Sequence, residues 1–263
     1  MLGKIIKYEF KATSKNYIIS FLAVIALALM SGMAQYLPED IELFRVLKSM
    51  VFIAYVAVLC MMPTAVMIAL GIRFYKTMLC DNAYFTHTIP VKKKTLINGK
   101  LLSGTIWMIL SVIIVVLSVV LLLIVSGFRE DMMEVIREIM DLIKVITDDS
   151  GYILTIILGI CLAIVFAFVT VIHVYASVGM GQVFNSHKKI GAVVFYVILR
   201  YVSSIVMSVA MYMSFVVFDM KDSRFETAGE LNVLLTLLIV FEALFGVICY
   251  AITYVKFNRF DLD

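Results

Sequence analysis

Three histidines, His87, His173 and His187, are the only imidazoles in the chain, and none stands in a spacing that builds a catalytic or metal centre. The sequence has no HExxH, no CxxC pair and no Gly-x-Ser-x-Gly elbow, so zinc hydrolysis, dithiol redox chemistry and serine-type acyl transfer lack their usual carriers. Gly99-Lys100 runs into Leu101 and lacks the upstream glycine of a phosphate-binding loop, so the chain is not expected to bind ATP by itself. His173, beside Tyr175 in an apolar run and without a paired acid, reads as a packed or interface histidine. The two residues left with chemical potential are Arg200 and Glu242, charges inside apolar runs, where such groups face a protein interior or an aqueous path. At 1.5 Å per residue they lie ~15 and ~20 Å from one membrane face. An ion pair between adjacent helices and a place in a substrate path are both open readings.

A second kind of chemistry, recognition, is concentrated between Arg73 and Lys100, RFYKTMLCDNAYFTHTIPVKKKTLINGK. Arg73, Lys76, Lys92, Lys93, Lys94 and Lys100 oppose the single acid Asp81, and a basic loop between membrane spans belongs on the cytoplasmic side. Tyr84 and Phe85 stand beside Pro90 as aromatic anchors outside any span. Exposed aromatics of this kind suit a pocket on a partner protein, which charge placement alone does not require.

The elements that must hold these residues follow from composition. Of 263 residues 63% are hydrophobic and 16% charged, beyond what a soluble core accounts for. Six apolar runs, about 17–37, 50–72, 101–127, 151–178, 190–218 and 231–255, each approach or exceed the ~20 residues needed to cross a bilayer as a helix. The expectation is one all-α membrane domain over residues 1–263, a six-helix bundle in the cell membrane. A net charge of +3, spread along the chain, gives no indication of nucleic-acid binding. Cys60, Cys161 and Cys249 sit in apolar runs and Cys80 in the basic loop, a distribution that suits packing better than a disulfide framework or metal site.

Leu2 to Ala12 interleaves apolar residues with Lys4, Lys7, Glu9 and Lys11 and is expected to form a short interfacial helix on anionic lipid. Between Glu130 and Asp149, Met132, Met133, Val135, Ile136, Ile139, Met140, Ile143 and Val145 recur at helical spacing opposite Glu134, Arg137, Glu138 and Asp141. That pattern predicts an external amphipathic helix. Pro63 is expected to kink the second span or be accommodated by its neighbours. Lys and Arg are twice as frequent in the termini and even-numbered loops as in the odd-numbered loops, which places both termini in the cytoplasm.

The segment DNAYFTHTIPVKKKTLINGKLL, Asp81 to Leu102, resembles the cytoplasmic loop of ABC-2 type transporter permeases, and LGKIIKYEFKAT, Leu2 to Thr13, is similar to their N-terminal helix. The resemblance implies a permease subunit whose loop between spans two and three forms a coupling helix seated in a separate ATPase subunit. Carried over residue by residue, Asp81, Tyr84, Phe85, Thr86, His87 and Pro90 would make that contact. It further implies ATP and Mg bound by the partner and not by this chain, a second permease chain in a homo- or heterodimer, and export of a hydrophobic or amphipathic substrate such as an antimicrobial peptide or lipid. On this reading the chain is not itself an enzyme. A non-transporting membrane sensor or scaffold is the alternative, and an ion-coupled carrier resting on Arg200 and Glu242 is a third reading.

Overall fold

The computed structural model describes residues 2–38, 40–80, 91–127, 133–134, 137–138, 140, 150–184, 187–217 and 228–258. Among these residues lie six long helices: α1 (Leu2–Ala34), α2 (Glu42–Met78), α3 (Lys93–Val125), α4 (Ser150–Met180), α5 (Lys188–Val217) and α6 (Ala228–Asn258). A short 3₁₀ turn, Gly181–Val183, follows α4. Each helix is long and apolar enough to cross a bilayer. Only 17% of the most apolar stretch of α2, α3 and α5 is buried by protein, so most of that apolar surface meets the surroundings. A water-soluble protein does not expose apolar surface on this scale, whereas lipid is its ordinary solvent. The chain is a multi-pass membrane protein.

Two boundaries differ from the apolar runs. The basic amphipathic stretch Leu2 to Ala12 is continuous with the first span, because α1 runs unbroken over 33 residues, about 50 Å. No glycine or proline interrupts it between Lys4 and Ser31, and Thr13 turns its hydroxyl back to the carbonyl of Glu9 at 2.9 Å instead of capping a new helix. The expected separate interfacial helix is therefore the first three turns of α1. Pro63 likewise sits within an uninterrupted α2. Most of the expected external helix between residues 130 and 149 lies outside the described residues; 133–134, 137–138 and 140 are helical and exposed.

The described residues group into two compact units, one of residues 1–6, 69–105 and 145–263, the other of residues 7–68 and 106–144. In the first, Thr155 meets Asn232, Val169 lies over Gly246 and Phe257 over Gly179, so α4 and α6 advance together as parallel helices. The start of α3 runs antiparallel to both. Lys93 and Asn98 meet Phe257 and Tyr250 of α6, while Lys100 and Gly104 meet Tyr175 and Val171 of α4. In the second unit, α1 buries Thr13, Tyr17, Phe21, Val24, Ala28, Ser31 and Gly32 at three- and four-residue intervals, the spacing of one helical face. Trp107 of α3 receives that face: Phe10 stacks on it at 4.2 Å, with Tyr17 at 4.8 Å and Phe21 at 6.0 Å.

Close approach of α4 and α6 depends on Gly246. A Cβ there would stand 2.7 Å from Cγ2 of Val169, inside any real contact, whereas a Cβ on Gly159 meets nothing within 4 Å. Gly246→Leu is expected to cost ~1–3 kcal/mol or more through overpacking. Gly159→Leu, exposed to no such clash, is expected to leave stability unchanged or slightly raised by its better helix propensity. Thermal unfolding of both variants in detergent checks the pair, and equal midpoints would remove the close contact from the account.

Candidate functional site

Residues 81–90 lie outside the described residues, and with them Asp81, Tyr84, Phe85, Thr86, His87 and Pro90. What the structure describes is the seat to which that loop is attached: the end of α2 and the start of α3, packed with α4 and α6 in one unit. The sequence explains why these ends form helices. Lys93 opens a run of thirty-three residues free of proline, and α2 carries Lys76 in its last turn, where a cation complements the helix dipole.

The seat is cross-tied by polar bonds between helices. Lys100, read from sequence as part of a solvated basic loop, is turned inward and 4% exposed. Its Nζ donates to Thr77 Oγ1 at 2.9 Å, joining α3 to α2. Tyr175 of α4 donates its hydroxyl to the Lys100 carbonyl at 3.1 Å. The Tyr175 ring stacks on Phe74 of α2 at 3.9 Å, and Phe74 meets Phe257 of α6 edge-on at 5.0 Å. Lys93 Nζ donates to the Phe257 carbonyl at 3.3 Å, Lys94 lies 4.8 Å from the Tyr254 ring centroid, and Tyr250 donates to Asn98 Oδ1 at 2.7 Å. Both helix ends that bracket the loop are thus tied to each other and to α4 and α6. Sequence reading missed this network because a lysine about two turns into a helix looks the same whether it faces water or a buried threonine.

The two intramembrane charges lie in the same unit but are not an ion pair. Arg200 of α5 is half-buried, its guanidinium carbon 4.8 Å from the centroid of Phe166 on α4, and no carboxylate of the described residues is within ion-pairing distance. Glu242 of α6 is fully buried. Ser203, one turn beyond Arg200, donates its hydroxyl to Glu242 Oε2 at 3.4 Å, while Oε1 has no partner among the described residues. His173 is fully buried as well, edge-on to Phe245 at 5.1 Å, with both ring nitrogens unpartnered among the described residues. The expectation of a packed histidine fits that placement. All four cysteines are free thiols, with Cys249 buried and Cys60 and Cys161 exposed.

Arg200 also lines an open groove of about 550 Å³ whose other walls include Phe166, Tyr196, Val197, Tyr201 and Ser203. Apolar walls with a few convergent polar groups are the usual composition of a small-molecule site.

If the buried lysine holds the seat, Lys100→Met should lower stability by ~1.5–3 kcal/mol, the range for hydrogen bonds to charged groups. Tyr250→Phe should cost ~0.5–1.5 kcal/mol. Thermal melts in detergent read both, and a Lys100→Met protein that melts with its parent would show that this bond is dispensable. Comparison with family models, with curated proteins and with solved structures finds no match, so the fold and the sites stand on the chain's own residues.

Proposed function

We propose that the chain is the membrane-spanning permease subunit of an ATP-driven transporter, with ATP hydrolysed by a separate ATPase seated on residues 81–90. The observation that carries this reading is the cross-tied seat. A loop meant only to connect two spans needs no such fixation. Here the bonds of Lys93, Asn98 and Lys100 link the loop's exit helix to α2, α4 and α6 together. A displacement applied to the loop by a soluble motor would therefore move four helix ends as one body, since hydrogen-bonded and stacked side chains resist independent sliding. Tyr84 and Phe85 supply the anchors by which a motor would grip it.

The remaining parts of the proposal agree with the sequence. Both termini face the cytoplasm by the distribution of Lys and Arg. A second permease chain, identical or related, completes the path, and the cargo is a hydrophobic or amphipathic molecule such as an antimicrobial peptide or lipid, moved outward. The motor is supplied in trans. ATPase activity that co-purifies with the chain and rises on reconstitution with cargo would set this reading apart from a sensor or scaffold, which turns over no transport-linked ATP.

Orientation is checked by single cysteines placed in a background lacking Cys60, Cys80, Cys161 and Cys249. Positions 93 and 188 should be shielded from an impermeant reagent added outside, and positions 141 and 222 should react. Labelling at position 93 in intact cells would reverse the arrangement.

Docking is checked by the double variant Tyr84→Ala, Phe85→Ala. Central aromatic anchors contribute ~2 kcal/mol or more each, so their joint loss is expected to weaken ATPase retention by up to about a thousandfold. The melting temperature of the permease itself should not move. A double variant that retains its ATPase on an affinity column and keeps cargo-stimulated hydrolysis would show that the loop is not the coupling element.

A further inference from the structure

Arg200 is placed where a cation is costly. It lies twelve residues into α5, ~18 Å from the first residue of a helix ~45 Å long, well away from either end of the span. A guanidinium carries five N–H donors and cannot lose its proton in a protein. Among the described residues no hydrogen bond or ion pair uses those donors; the guanidinium lies on the face of Phe166, with His173, Tyr196 and Glu242 within electrostatic reach. Intramembrane charges are kept where they meet a partner or a pathway. Arg200 opens into a groove, and the groove opens outward, with Val197 59% and Tyr201 69% exposed on its rim.

The groove is asymmetric. Phe166, Tyr196, Val197, Tyr201 and Met207 offer rings, methyl groups and a flexible thioether, surfaces that accept a hydrocarbon chain of varied shape. Ser203 and Ser204 are the polar, uncharged residues of the lining, and of the two Ser204 is exposed while the Ser203 hydroxyl is donated to Glu242. Behind that wall stands Glu242, bonded to the groove through the Ser203 hydroxyl and within electrostatic reach of Arg200, with Oε1 accepting no hydrogen bond among the described residues. One accessible cation, the exposed Ser204 and an apolar trough are complementary to an acidic head on a greasy tail.

We propose that this groove binds an amphiphile with an anionic head group, phosphate or carboxylate, the head meeting Arg200 and the chain lying along Phe166, Tyr196 and Tyr201. The head would sit deep in the membrane, so the ligand is a molecule drawn into the protein and not a lipid resting at the bilayer surface. In the permease reading this is the cargo site, which narrows the cargo to anionic amphiphiles. The test below measures binding without any ATPase, so failure here and failure of the transport reading are distinguishable.

The purified full-length chain in a neutral detergent is titrated with dodecyl phosphate, with dodecyltrimethylammonium and inorganic phosphate as separate competitors. Saturable binding of dodecyl phosphate is expected, together with at least about a tenfold loss in Arg200→Gln, partial retention in Arg200→Lys, and little competition from either probe. Glu242→Gln should bind at least as tightly, since an acidic group near the head is removed; a folded Glu242→Gln that loses binding would show that Arg200 does not hold the head by itself and overturn the assignment. Equal competition by dodecyltrimethylammonium would overturn the charge assignment, and equal competition by inorganic phosphate would overturn the amphiphile in favour of a free anion. Should Arg200→Gln fail to fold, Ser204→Trp decides the matter, because Ser204 is exposed on the groove and a bulky ring there fills the trough without entering the packed interior. Unchanged binding in Ser204→Trp, or in a folded Arg200→Gln, overturns the site.

Discussion

Lipid cannot hydrogen-bond, and that single constraint organises the polar residues of this protein. Most hydroxyls in the spans solve the problem locally. Ser111 bonds back to the Met108 carbonyl, Ser177 to Val174 and Thr253 to Cys249, at 2.7, 2.7 and 2.8 Å. A serine or threonine that satisfies itself within its own helix sets no geometry between helices. The bonds that do set geometry are fewer, and include Tyr55 to Ser118, Thr155 to Asn232, Tyr250 to Asn98 and Lys100 to Thr77. Each such bond contributes only ~0.6–2 kcal/mol in a membrane, so their value lies in where they are placed.

Their placement is uneven. The contacts at the loop-bearing ends of α2 and α3 combine an inward lysine, two tyrosine hydroxyls and a stacked aromatic pair, a set that fixes direction as well as distance. Around Trp107 the contacts are rings against rings, with no hydrogen bond on its Nε1 among the described residues. Ring packing fills space and tolerates small rotations, whereas a lysine held between a threonine and its own helix does not. A rigid seat at the helix ends that flank residues 81–90 is what the proposed transmission of work into the bundle would require.

Other buried polar groups are also unsatisfied. Among the described residues, Glu242 Oε1 and both nitrogens of His173 are buried without a hydrogen-bond partner, and the Arg200 donors make no hydrogen bond. Buried polar groups are normally paired, and each exception calls for an explanation. In a helix bundle that satisfies most of its hydroxyls, the exceptions among the described residues include Ser31 on α1 and Trp107 on α3 as well as His173 on α4 and Glu242 on α6, and of these Glu242 is bonded to a residue of the groove, Ser203. Functional sites are where local rules are broken and the surrounding structure bears the cost.

The sequence by itself determined that the chain spans a membrane through six helices, because runs of twenty or more apolar residues admit no other hydrogen-bonded backbone in lipid. It also singled out Arg200 and Glu242 as charges out of place, and the stretch around Tyr84 and Phe85 as the proposed docking surface. The fold was legible at this level because length and polarity act one residue at a time. What only the tertiary structure decided is which of these residues meet. Arg200 and Glu242 sit at similar expected depth, yet side-chain direction separates them: Ser203 reaches the carboxylate while the guanidinium turns to Phe166. The merging of the basic N-terminal stretch into α1 was equally illegible, since an amphipathic turn carries the same pattern whether it breaks from the span or continues it. Lys100 is the clearest case: charge type and spacing fit a solvated loop, and only the position of Thr77 on a neighbouring helix makes it a buried tie.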